Sequence, residues 1–358
     1  MAITDPENTG GRKSLDSMEG VPELRDIPVV KNRTMGPTEW VLIIILSVIW
    51  GSSFFFIKII VSDVPPFTVV LGRVGLAAIA LNIIVYAKGY RMPKNPSIWK
   101  DFILMGMLNN LIPFSLIIWG ETRIASGLAS ILNATTPFFS VILAHFLTRD
   151  ERLTGMRLGG ILLGIIGVTV TIGWGSLGGL GLHLFAEVGV ILAAFSYALA
   201  GIFGRRFQNH HPLVTATGQV TATAVLALPI AFAADRPWTL PWPGYGAVGA
   251  FIGLGLLCTA LAYIIYFRIL KVAGATNVLL VTLLIPVSAL ILGITILGER
   301  FQYEDFLGMA LILLGLAAID GRLFLWIKTS RAAHSRTPAC LTKPENGAGP
   351  VGASGPRA

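Results

Sequence analysis

The sequence predicts an all-α integral membrane protein in which ten transmembrane helices form two inverted five-helix repeats. Three observations predict it: a composition too apolar for a water-soluble fold, a series of apolar runs each long enough to span a bilayer, and one pattern that occurs twice in the same order. Of the 358 residues, 54% are hydrophobic and 13% charged, with a mean hydropathy of +0.74. Soluble domains are about 25% charged, so lipid is expected to cover the apolar surface. The net charge of +8 does not point to nucleic acid, because Lys and Arg sit in short clusters between apolar runs, as orientation signals do. Cys258, inside an apolar run, and Cys340, in a polar tail, make no disulfide framework. The first 36 residues lack an apolar core and do not read as a cleavable signal peptide.

Taken in order, the apolar runs fall at 40–60, 67–87, 98–119, 125–147 and 156–174, then at 182–203, 213–234, 245–267, 275–297 and 306–327. Each is about the length a bilayer requires, and the short connections make successive helices antiparallel neighbours. With the N-terminus inside, 22 of the 27 Lys and Arg residues fall in cytoplasmic segments. Lys58, Arg123, Arg236 and Arg300 fall on the other side, and Arg73 lies within a span. That asymmetry places both termini in the cytoplasm. The tails, 1–36 and 329–358, read as disordered: the first is polar, the second rich in Gly, Ala, Pro and Ser.

The repeated pattern runs Ala125-Ser126-Gly127, Pro137, Asp150-Glu151-Arg152, Gly160, Gly167, and again Ala273-Gly274-Ala275, Pro286, Gly298-Glu299-Arg300, Gly308, Gly315. Glu151, Arg152, Gly160 and Gly167 precede their counterparts by 148 positions, and Pro137 precedes Pro286 by 149. Each unit holds five spans, an odd number, so the second copy enters the membrane upside down, as alternating access requires.

Trp50-Gly51-Ser52-Ser53 followed by Phe54-Phe55-Phe56-Ile57-Lys58 resembles the first helix of the EamA domain, and so does Arg73 opening an Ala/Leu-rich second helix. The segments Ala125 to Gly167 and Ala273 to Gly315 resemble its fourth and fifth helices, twice over. The chain is therefore similar to the drug/metabolite transporter superfamily, with EamA units at 41–173 and 186–320. It departs from the pattern in Arg149-Asp150-Glu151-Arg152, which lacks the glycine of Gly298-Glu299-Arg300, and in Tyr197-Ala198, which replaces Trp-Gly. The resemblance implies a ten-helix basket around a central cavity, in a plasma membrane (bacterial inner membrane), exporting small metabolites, often amino acids. Drugs, organic cations and nucleoside-type solutes are the alternative cargo.

Polar groups inside a span mark a cavity or a partner helix. Asn109, Asn110, Asn133 and Thr282 read as cavity residues, with helix-to-helix hydrogen bonding as the plainer account. Trp50, Tyr197 and Tyr263 read as a surface on which an apolar or aromatic solute could stack, and Trp119 as an interface anchor. Pro137 and Pro286 read as hinges, since each removes a backbone donor in mid-span. Glu151 and Glu299 read as structural carboxylates capping exposed N–H groups. Arg73 reads as a residue that snorkels to the interface or attracts a substrate carboxylate. His145 and Asp320 are the candidates for a proton relay. Gly160-x-x-x-Gly164 and Gly249-x-x-x-Gly253 allow close packing within one protomer or in a homodimer.

No cofactor is expected: no phosphate-binding Gly-x-x-x-x-Gly-Lys-Ser/Thr loop occurs, and His210-His211 has no metal-ligating partners nearby. A membrane-embedded lipid-modifying enzyme would need converging carboxylates or metal ligands, and a channel a filter segment or charged lining; neither pattern is visible. The expected partners are a small-molecule substrate and the lipid bilayer.

Overall fold

The structure, a computed structural model, describes residues 36–148, 153–177, 181–273 and 275–320. Among these it is all helical. Eight helices are long and apolar enough to cross a membrane. These are α1 (Pro37–Ile60), α2 (Pro66–Ala87), α3 (Pro96–Glu121), α4 (Ser126–Leu147), α5 (Gly155–Leu177), α6 (Leu182–Phe203), α7 (Pro212–Ala234) and α8 (Gly244–Leu270). Two more follow, α9 (Ala275–Thr295), whose apolar run is Leu280–Thr295, and α10 (Tyr303–Asp320). Glu304, Asp305 and Asp320 stand at the ends of α10, so the tenth span stays an expectation. The tails, Gly36 apart, lie outside the described residues.

Starts and stops follow local chemistry. Proline opens α1, α2, α3 and α7, where its missing N–H costs nothing. Outward-facing Ile79, Ile83, Leu162, Ile165 and Val225 are exposed, as a lipid-facing surface requires. Exposed Trp238, Trp242 and Tyr245 gather beside the start of α8, where aromatic rings suit a membrane interface.

The contacts between helices are nearly closed under exchange of the two halves. The pairs α5–α10, α2–α7 and α4–α9 each join a helix to its own counterpart. The pairs α1–α9 and α4–α6 exchange with each other, as do α3–α6 with α1–α8 and α2–α8 with α3–α7. Glycines show the inversion atom by atom. A Cβ on Gly160 would lie 2.6 Å from the carbonyl oxygen of Gly315, and one on Gly308 would lie 2.7 Å from that of Gly167. Since Gly160 matches Gly308 and Gly167 matches Gly315, these are one contact seen twice, and α5 and α10 run antiparallel. Backbone approach of this kind is what small residues permit in lipid, where packing rather than hydrophobicity drives association. Gly160, Gly164 and Gly167 of α5 are thus covered inside the chain, whereas Gly249 faces open space.

Two differences from the sequence reading concern helix continuity. The fourth span is broken: helix ends at Asn133, Ala134 and Thr135 form a turn, and a new helix starts at Thr136. Pro137 therefore sits in the first turn of a helix rather than in mid-helix, where it displaces no bond. Pro286, in contrast, lies inside the unbroken α9. The third and eighth spans each contain a π-helical stretch, Met107–Leu111 and Gly253–Leu261, which hydrophobic patterning does not announce.

Candidate functional site

The two π stretches face α7 and α2 respectively, and there the polar side chains converge. Gly106 and Gly255 let the backbones close in: a Cβ on the first would lie 2.7 Å from the carbonyl oxygen of Gln219, and on the second 3.2 Å from that of Arg73. Gly72 admits the ring of Phe251, and Gly218 that of Phe102. Gly72-Arg73-Val74 and Gly218-Gln219-Val220 are therefore the same element in the two repeats.

Around Gln219 a closed hydrogen-bonded circuit joins three helices. Asn109 Nδ2 donates to Gln219 Oε1 at 3.3 Å and to the Tyr263 hydroxyl at 3.0 Å. Tyr263 donates to Asn110 Oδ1 at 3.0 Å, and Asn110 Nδ2 to Thr223 Oγ1 at 3.2 Å. Thr223 closes the circuit on the Gln219 carbonyl at 2.8 Å. The π stretch frees the carbonyl of Leu108, which Ser196 Oγ satisfies at 2.7 Å. Low dielectric makes the hydrogen bonds of such a buried circuit costly to break.

Around Arg73 the pairing is incomplete. The side chain is 7% exposed and does not snorkel, which corrects the reading of it as an interface residue. Its Nε donates to Thr259 Oγ1 at 3.1 Å, and its Cζ lies 3.6 Å from the centroid of the Phe114 ring. Thr259 in turn donates to the Leu254 carbonyl at 2.9 Å, the long step of the π turn. An arginine at the centre of a membrane helix costs about 2.5–3.5 kcal/mol. A desolvated cation–π contact of about 2 kcal/mol and a charged hydrogen bond of about 1.5–3 kcal/mol offset that. Nη1 and Nη2 have no acceptor among the described residues. The fork that best matches a carboxylate is thus unused. Tyr197, Cys258 and Tyr263 lie within Coulombic reach of the guanidinium, and Cys258 Sγ is 3.6 Å from Ser52 Oγ. A surface cleft of about 340 Å³, lined by Val64, Thr68, Leu240, Trp242 and Phe251, ends on Phe251, whose ring rests on Gly72 beside Arg73.

One end of the bundle is tied across the repeats. Glu299 accepts from Ser126 N at 2.8 Å and from Ser126 Oγ at 2.9 Å. It caps the start of α4 in the other repeat rather than its own following helix. Lys58 Nζ donates to the carbonyls of Glu121 and Ile124, both at 2.8 Å, and so caps the end of α3.

Of the residues singled out from sequence, Asn109, Asn110 and Tyr263 meet in one circuit, and Tyr197 lies beside them near Arg73. Trp50 packs on Tyr266 at 5.7 Å between ring centroids. Trp119 meets Arg123, whose Cζ is 4.5 Å from its ring. Asn133 ends the first half of α4, with its buried Oδ1 lacking a partner. Thr282 is half-buried on α9. His145 is exposed rather than held within the bundle, and its Nδ1 accepts from Leu153 N at 3.3 Å. Asp320 is half-buried at the end of α10. Glu151 lies outside the described residues. Sequence reasoning missed Gln219 and Thr223, which the Gly-Arg-Val and Gly-Gln-Val match could have found. No group of three or more His, Cys, Asp or Glu among the described residues could hold a metal ion.

The model of the EamA-like transporter family matches residues 38–173 and 184–319. The chain is 26% identical to the uncharacterized transporter YoaV of Bacillus subtilis over 76% of its length and 94% of the relative's. It is 27% identical to a probable amino-acid metabolite efflux pump of Escherichia coli K12, over 79% of this chain and 94% of that one. An inner membrane transporter of the same organism, YedA, is 25% identical over 76% of this chain and 88% of its own length. A solved crystal structure superposes with a TM-score of 0.57 at 18% identity, covering 79% of this chain and 97% of its own, and shares the fold alone.

Proposed function

We propose, for a chain that belongs to the EamA-like transporter family, outward secondary transport of small carboxylate-bearing solutes, amino acids foremost, by alternating access between the two repeats. That it is a multi-pass membrane transporter, and not an enzyme, follows from the family and its named relatives. The observation that carries the finer reading is Arg73: a buried guanidinium, fixed by Thr259 and Phe114, with neither Nη group paired among the described residues. A carboxylate placed there would form two parallel charged hydrogen bonds, and Tyr197, Tyr263 and the Asn109–Asn110 circuit would surround the rest of the solute. The efflux-pump relative speaks for amino-acid metabolites as cargo. The charge asymmetry of the connections speaks for a plasma-membrane carrier with both termini cytoplasmic. The repeats' mutual packing supplies the pseudo-symmetry that two alternating packings need.

The test is counterflow in proteoliposomes preloaded with a mixed amino-acid pool, comparing wild type with Arg73→Gln and Asn133→Ala. Exchange by wild type that Arg73→Gln abolishes supports the carboxylate anchor. Exchange that survives Asn133→Ala returns that residue to helix packing. A properly inserted protein that exchanges nucleosides or organic cations but no amino acid sinks the proposed cargo.

A further inference from the structure

The last residue of α3 is Glu121, and its carboxylate is 0% exposed, with neither Oε1 nor Oε2 hydrogen-bonded among the described residues. Three charged groups lie within Coulombic reach: Lys58 on α1, Glu299 before α10 and Arg73 on α2. None of them hydrogen-bonds the carboxylate. Lys58 Nζ is held by the carbonyls of Glu121 and Ile124, not by the carboxylate. Glu299 is held by Ser126, and Arg73 by Thr259 and Phe114. Behind Gly120, α6 contributes Ala186 and Val190, and its Glu187 has Asp305, not Glu121, as charged neighbour. From α4 comes Ser126, which faces Glu299.

An ionised carboxylate that is dry and has no hydrogen bond is costly, and the attraction of Lys58 and Arg73, set against the repulsion of Glu299, offsets only part of that cost; a neutral carboxyl costs far less. We propose that Glu121 is a proton-binding site whose occupancy is tied to closure of the end of the molecule bearing Lys58 and Glu299, the external end in the orientation above. Closure takes up one proton, converting the carboxylate to a carboxyl. Parting of α3 and α4 from Glu299 and Lys58 admits water, and the carboxyl releases that proton. Turnover of the carrier is then proton-linked at this step. The inference rests on the carrier reading for its consequence but not for its first test.

That test uses the full chain in proteoliposomes with Cys258 and Cys340 replaced by serine. Ile124→Cys, at a 5%-exposed position whose carbonyl shares Lys58 with that of Glu121, reports opening through labelling by an impermeant maleimide. Thr122→Cys, exposed at the same end, corrects for the thiol's own ionisation. The labelling ratio is expected to rise with pH by up to about tenfold per unit, the limit for one proton, and to become flat in Glu121→Gln. Glu121→Met, neutral but unable to hydrogen-bond, should be flat as well, so a folding failure of one variant leaves the other. A ratio that is flat in wild type, or that rises equally in both variants, overturns the proposal. In the counterflow assay, wild-type exchange should slow as external pH rises, while Glu121→Gln exchanges at a pH-independent rate. Absence of any amino-acid exchange would remove the proposed cargo, with the labelling experiment still deciding Glu121.

Discussion

The two repeats agree where backbones touch and differ where chemistry is done. Gly72 and Gly218 each admit a phenylalanine, Gly106 and Gly255 each approach a carbonyl of the other unit, and Gly160–Gly315 mirrors Gly308–Gly167. Yet Arg73 in the first unit is answered by Gln219 in the second, one with an unused fork and the other hydrogen-bonded through its Oε1 to Asn109. The ends differ as well. Lys58 and Glu121 are drawn into the bundle in one unit. Their counterparts are exposed Arg205 and Arg206, the latter 3.3 Å from Asp101, and the apolar Leu270. In the proposed mechanism, packing symmetry lets one chain adopt two opposite packings, and chemical asymmetry assigns the charged anchor for the solute to the first unit.

The largest expected effect tests the symmetric part. Gly160→Leu and Gly308→Leu would each drive a side chain into the opposing backbone, at a cost of roughly 3 kcal/mol. Because the two sites are one contact repeated, thermal unfolding in detergent should fall by the same amount for both. A large difference between them would break the comparison at its base.

Next comes the asymmetric part. Arg73→Gln makes the two units alike, and loss of a charged, bidentate partner is expected to weaken solute binding by roughly 10- to 100-fold. Gln219→Ala removes one neutral acceptor from Asn109, which keeps the Tyr263 hydroxyl; about 1 kcal/mol, or some fivefold, is expected. Counterflow titrated with unlabelled solute measures both. Equal losses would show that the units share the binding role.

Much of this was legible in the sequence, for physical reasons that also mark where reading stopped. Spans and the repeat are set by hydrophobic length and by glycines that cannot change without a clash, so α6 was placed at its observed limits, 182–203. The Asn109–Asn110 pair and Tyr263 were legible because amides and hydroxyls in hydrocarbon must find partners. The π stretches were not, because a one-residue widening of a turn leaves the apolar pattern unchanged. Glu121 follows Trp119-Gly120 and reads as the start of a connection; only the packing of α1, α6 and Glu299 around it makes it a buried carboxylate. Gln219 was hidden because replacement of an arginine by a glutamine removes the charge by which such a position is noticed.

The smallest effect separates two prolines that the sequence presents as twins. Pro137 sits in the first turn of a helix that restarts after Ala134 and Thr135, where the chain is already tied by Thr135 Oγ1 to Leu132 O at 2.7 Å and Thr136 Oγ1 to Asn133 O at 2.8 Å. Pro137→Ala should shift stability by no more than about 0.5 kcal/mol, since proline suits that position. Pro286 interrupts a continuous helix, where proline costs up to about 3 kcal/mol before neighbours restore the lost bond. Pro286→Ala should therefore raise the unfolding temperature and slow exchange several-fold, the helix having lost the place where it bends. If Pro137→Ala slowed exchange as much, the break in the fourth span would be a moving joint rather than a fixed corner, and the first unit would share the motion.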